Sequence, residues 1–122
     1  MRRVTTKRHY ELFQRTFLEC VERWGITDTR WDFSHEPHRD ARATYTGDHT
    51  ARCAQITLST TWESGPREKP VTDREVIDCA RHEAAHALLG PISAMMRARL
   101  VTQDELTEAE ERTVRRLQRV LP

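Results

Sequence analysis

One segment, Val71 to Gly90, constrains this chain more than any other. Thr72-Asp-Arg-Glu75 is a capping box, in which the Thr72 hydroxyl and the Glu75 carboxylate each satisfy an amide left open by a helix's first turn. Val71 and Val76 take the staple positions around it. Val76, Ile77, Ala80, Ala84, Ala87 and Leu88 then recur at helical spacing, and Gly90-Pro91 stops the pattern. The segment predicts one amphipathic helix whose apolar stripe is built mostly of small residues.

Within that helix lies His82-Glu-Ala-Ala-His86. Residues four apart project from the same helical face, so both imidazoles can reach one tetrahedral ion at about 2.0–2.1 Å. Glu83, next to His82, can point at a water on the open side of such an ion and take its proton. The two alanines between the histidines keep the helix narrow. Zinc needs a third protein ligand, and no histidine follows His86. The carboxylates Glu108, Glu110 and Glu111 open the last helical segment. Glu110 shares a face with Thr113, Val114 and Leu117, the expected core side, and is the first choice. Glu111 is the runner-up and Glu108 lies further round. Glu110 also reads as the capping partner of Thr107, so its ligand role and its cap role compete.

The rest of the chain supplies a scaffold. Tyr10, Phe13, Phe17, Val21 and Trp24 mark a helix from about His9, ended by Gly25. Trp31 to His35, Ala41 to Tyr45 and Arg52 to Ser59 alternate apolar and polar residues, with Thr46-Gly-Asp-His-Thr50 as a turn. They predict a three-stranded antiparallel meander. Glu63 to Pro70 reads as a loop, and the final helix begins at Thr102 or Thr107, each heading a T-x-x-E box. Leu106, Val114, Leu117 and Leu121 form its expected core face. The expected fold is α+β: N-terminal helix, three-stranded sheet, HExxH helix and C-terminal helix in a single domain over residues 1–122.

Composition narrows the function classes. A chain of 122 residues with 37% hydrophobic positions has one domain's worth of core. Twenty Lys+Arg against nineteen Asp+Glu leave a formal charge of +1, so no global field selects a nucleic acid. The basic start, Arg2, Arg3, Lys7 and Arg8, leaves some room for phosphate contact but reads better as a solvated tail. No run is long enough to span a bilayer. Cys20, Cys53 and Cys79 form no CxxC pair, which suits a reducing, cytoplasmic setting. Cys79, one turn before His82, reads as a small buried hydrophobe. His35 and His38 flank Pro37, and their spacing in a non-helical stretch argues against a second metal site.

HEAAH on a helix, after a short meander and before a glutamate on a later helix, resembles the gluzincin type of zinc metallopeptidase. In its short form it is similar to minigluzincin and SprT-like zincin domains, including small phage and prophage members and the peptidase domain of ImmA/IrrE-like regulators. The resemblance implies a zinc cofactor (Zn2+), His82 and His86 as ligands, Glu83 as general base and Glu110 as third ligand. SprT-like enzymes generally use a downstream histidine, and its absence moves this chain toward the glutamate type. The NExxSD form of longer gluzincins is also absent. The resemblance further implies a peptide or protein substrate added to the edge strand beside the zinc helix, expected at Arg52 to Ser59. Tyr45 and His49 are candidate oxyanion donors that read better as sheet and turn residues. The alternative is a non-catalytic, zinc-stabilised phage accessory protein that binds a host protein or DNA.

Overall fold

The computed structural model describes residues 3–48, 50–63, 69–98 and 100–119. Along them the order is β1 (Arg3–Val4), α1 (Lys7–Arg23), β2 (Arg30–Glu36), β3 (Ala43–Asp48), β4 (Cys53–Ser59), β5 (Thr61–Trp62), α2 (Asp73–Leu88), α3 (Gly90–Arg97) and α4 (Gln103–Gln118). The class is α+β, as the sequence implies. His49, Leu121, Arg2 and most of the expected Glu63–Pro70 loop lie outside the described residues.

Each long helix begins at a reciprocal cap. Thr6 accepts from the His9 amide while His9 Nδ1 accepts from the Thr6 amide at 3.0 Å, a capping box closed by an imidazole. Gly25, at φ +71°, lets the chain turn after Trp24, so that the Ile26 amide reaches the Val21 carbonyl at 2.9 Å. Thr72 and Glu75 close the box that opens α2. Thr102, not Thr107, heads α4, with Glu105 as its partner. Gly90-Pro91 ends α2 and also starts α3, where the proline sits in the first turn, where its missing amide is not needed.

The sheet differs from the expected meander. Its order is β2-β4-β3, with β3 antiparallel to β4 but β2 parallel to it. β4 is therefore the central strand. Its alternate residues Ala54, Ile56 and Leu58 are at most 3% exposed, so pairing on both edges places the most apolar strand deepest. The six residues between β2 and β3 are long enough to carry the chain past one strand position. β3 also runs further than expected, through Thr46, Gly47 and Asp48. The turn comes later, where Asp48 Oδ1 accepts the Ala51 amide at 2.9 Å and Arg52 takes a left-handed φ of 52°. Strands β1 and β5 form a separate two-stranded ladder.

One core holds the layers together. Phe13, Phe17 and Val21 of α1, Ile56 and Leu58 of β4, and Val76, Ala80, Ala84 and Ala87 of α2 share it. Phe17 meets Trp31 and Phe33 of β2 edge-on, with centroids 5.2 and 5.4 Å away. The N-terminal ladder is tied to α2 by Arg3, which donates to the Lys69 carbonyl at 2.9 Å and to the Glu75 carboxylate at 2.5 Å.

Partial burial raises the Glu75 pKa, but hydrogen bonds from the Thr72 amide, Arg3 and the Thr72 hydroxyl outweigh it and hold the carboxyl below its usual value. A lowered folded pKa contributes stability above the unfolded value that is lost as pH falls through the folded one. Glu75→Gln keeps a capping side chain and removes the ion pair. It is expected to cost about 1 kcal/mol at pH 7 in urea unfolding, with the difference shrinking as pH falls through the lowered folded value. An equal cost at pH 7 and below that value contradicts the ion-pair account.

Candidate active site

On α2 the stripe that faces α1 and the sheet carries Val76, Ala80, Glu83, Ala84, Ala87 and Leu88. Glu83 thus occupies a core position, and it is only 5% exposed. His82 and His86 flank it on the exposed side, with ring centroids 5.1 Å apart and planes at 80°. No described residue donates a hydrogen bond to the Glu83 carboxylate. Burial pushes its pKa up, and the two imidazoles pull it partly back. A carboxyl with a raised pKa beside two imidazoles is a candidate proton-transfer group.

The opposite wall is β3. Tyr45 stacks on His86 with centroids 6.0 Å apart and planes 16° from parallel. A Cβ at Gly47 would stand 3.0 Å from the Tyr45 ring, so the glycine lets the ring lie along the strand. Burial raises the Tyr45 pKa, with Arg116 opposing it, so its hydroxyl stays protonated and available as a donor. β3 is a sheet edge and pairs only with β4 among the described strands. The edge expected at Arg52 to Ser59 is therefore corrected: that segment is β4, paired on both sides, and the free edge beside α2 belongs to β3.

His82, Glu83 and His86 are brought together, and Glu110, Glu111 and Glu108 are not brought to them. All three glutamates are exposed on α4, whose buried residues are Ala109 and Thr113. Val114 and Leu117, expected in the core, are 42% and 39% exposed. One residue step turns a helix by about 100°, so Glu110 sits on the flank away from Arg112 and Arg116. Those arginines hold the flank nearest α2, where Arg116 Nη1 donates to the Ala87 carbonyl at 2.9 Å and the Leu88 carbonyl at 3.3 Å. Among the described residues, no three His, Cys, Asp or Glu side chains gather in a group that could hold a metal ion. The two imidazoles fit two positions of a tetrahedral zinc ion, and this arrangement supplies no third protein ligand.

The other candidates resolve into structure. His35 Nε2 meets the Thr5 hydroxyl at 2.7 Å, and its ring stacks on Tyr10 at 4.8 Å. His38 accepts the Asp40 amide at 3.3 Å. The Cys79 thiol is pushed up to about 11, chiefly by burial, and packs against the core as a small hydrophobe.

Sequence reasoning missed one feature. Asp28, in the loop after α1, stands 3.0 Å from Arg112, 3.8 Å from Arg116 and 4.0 Å from Arg52. The sequence signal for it is a crowd of arginines in the last turns of α4, which equally suits the negative end of a helix dipole. Comparison with family models, curated proteins and solved structures finds no match.

In metal-free protein the charged form of Glu83 opposes folding. A raised folded pKa gives stability that is present below the unfolded value and lost as pH rises through the folded one. Glu83→Gln is therefore expected to raise the urea midpoint at pH 7 in the presence of a chelator, with the gain shrinking toward about pH 4. A lower midpoint at pH 7 contradicts the burial of an unpartnered carboxylate.

Proposed function

We propose that this chain is a zinc-dependent metallopeptidase of the HExxH type, which hydrolyses peptide bonds with a water activated by Glu83. The observation that carries the proposal is the Glu83 side chain, only 5% exposed, set between two exposed histidines on a helix whose His86 stacks on Tyr45 of the β3 edge strand. His82 and His86 would hold the ion. Zinc, when bound, supplies Lewis acidity toward the peptide carbonyl and the attacking water. Glu83 takes the water's proton and later gives it to the leaving amine. Its burial favours the protonated form, so it holds the proton between the two transfers. A substrate strand adds to β3, where main-chain hydrogen bonds align it beside His86 and the Tyr45 hydroxyl can donate to developing charge. No helix among the described residues is long and apolar enough to cross a membrane. A cytoplasmic setting suits the three free cysteines.

A second reading is a non-catalytic adaptor that binds zinc through the same two histidines; among the described residues no third protein ligand gathers with them. Cleavage separates the two. The peptidase reading expects one zinc per chain by elemental analysis, lost in the double variant His82→Ala, His86→Ala. It also expects Glu83→Gln to keep zinc while cleavage of an unfolded protein substrate falls by about 100-fold or more. Zinc binding without cleavage by the parent chain favours the adaptor, and cleavage undiminished in Glu83→Gln removes its role as base.

A chelator titration of Glu110→Gln, Glu111→Gln and Glu108→Gln tests the third position. With α4 oriented as described, all three hold zinc as the parent does. Release from Glu110→Gln alone would make Glu110 the third ligand and require α4 to turn about its axis.

A further inference from the structure

A cavity of about 520 Å³ opens beside His86, walled by Tyr45 and by the arginines Arg52, Arg112 and Arg116 around Asp28. Three guanidiniums stand around the Asp28 carboxylate there. Only Arg112 is at hydrogen-bond distance from Asp28, at 3.0 Å, with Arg116 and Arg52 at 3.8 and 4.0 Å. Asp48, the other acid on the wall, already accepts the Ala51 amide. Arg116 is fixed in place by the Ala87 and Leu88 carbonyls through Nη1, and its Nη2 has no acceptor at hydrogen-bond distance among the described residues. Burial, and then the neighbouring Arg112 cation, lowers the Arg116 pKa, while Asp28 and Tyr45 oppose the shift.

We propose that this cavity is a carboxylate subsite, which selects peptides carrying an acidic side chain or a terminal carboxylate next to the segment lying against His86. The inference rests on the peptidase reading only for the role of His86; the charge surplus stands apart from it. A peptide laid along β3 passes His86 and meets the cavity at Thr46, Gly47 and Asp48, which line it. A guanidinium fork matches a carboxylate by shape as well as charge, and Arg116 is pre-positioned by its contacts to α2. The cavity would thus fix which residue sits beside the cleaved bond.

Binding to the zinc-free full chain, followed through fluorescence of Trp31 on the cavity wall, tests this directly. The probes are an acetylated, amidated hexapeptide with one central Glu, its Gln counterpart, and the Gln peptide with a free carboxyl terminus. The Glu peptide is expected to bind about tenfold tighter than the amidated Gln peptide at low salt, with the preference shrinking as salt rises. Tighter binding of the free-terminus peptide alone supports the proposal with a chain end as the carboxylate. Arg52→Gln should weaken the preference, and its exposed side chain makes no contact with the α2 carbonyls. Arg116→Gln should abolish it if the variant folds. Equal binding of all three peptides, or a preference unchanged in Arg52→Gln and in any folded Arg116→Gln, overturns the proposal. Zinc-loaded cleavage assays keep the two ideas apart. Acidic preference in binding without cleavage supports the subsite and removes the peptidase, whereas cleavage at equal rates beside Glu and Gln does the reverse.

Discussion

The close approach of α2 to α1 and the sheet is the constraint on which the rest of the structure depends. It is made by Ala80, Ala84 and Ala87, small side chains that let the helix settle against Phe13, Phe17 and Ile56. The same stripe contains Glu83. A carboxylate placed there loses water and its pKa rises, so the packing that stabilises the fold also shifts Glu83 toward the role proposed for it. Opening that contact would return Glu83 to solvent and to an ordinary carboxylate range. Fold and site are therefore one arrangement, with α2 as the shared element.

A second tie orients the C-terminal part. Arg116 satisfies carbonyls at the end of α2 that the helix itself leaves open, and Asp28 gathers Arg112 and Arg116 from α4 toward the loop after α1. These contacts decide which flank of α4 faces the histidines. They place arginines there and turn Glu110 outward. An excess of guanidiniums over carboxylates beside His86 is what makes the neighbouring cavity a candidate for an anionic group.

Much of this was legible in the sequence where the signal is local. The Thr72 and Glu75 box, the Gly25 turn and the Gly90-Pro91 break depend on a few adjacent residues, and each helix end falls where they put it. Strand order was not legible, because alternation in Arg52 to Ser59 marks a half-buried strand and does not say how many neighbours it has. The parallel pairing of β2 with β4 depends on which strand is most apolar, a comparison between segments. The face of α4 was misjudged for a related reason. Its apolar residues Leu106, Val114 and Leu117 suggest a core side, yet the smaller Ala109 and Thr113 are buried instead. The histidine pair was legible because four-residue spacing on a helix fixes geometry without help from the rest of the chain.

The central claim is that His82 and His86 share one zinc ion beside Glu83. X-ray absorption at the zinc edge of protein loaded with one equivalent tests it most directly, since imidazole rings leave a distinct multiple-scattering pattern. The account predicts two imidazole nitrogens at about 2.0 Å, completed by oxygen ligands. A sulfur shell at about 2.3 Å, or a spectrum with no imidazole, would contradict it and place the metal elsewhere on the chain.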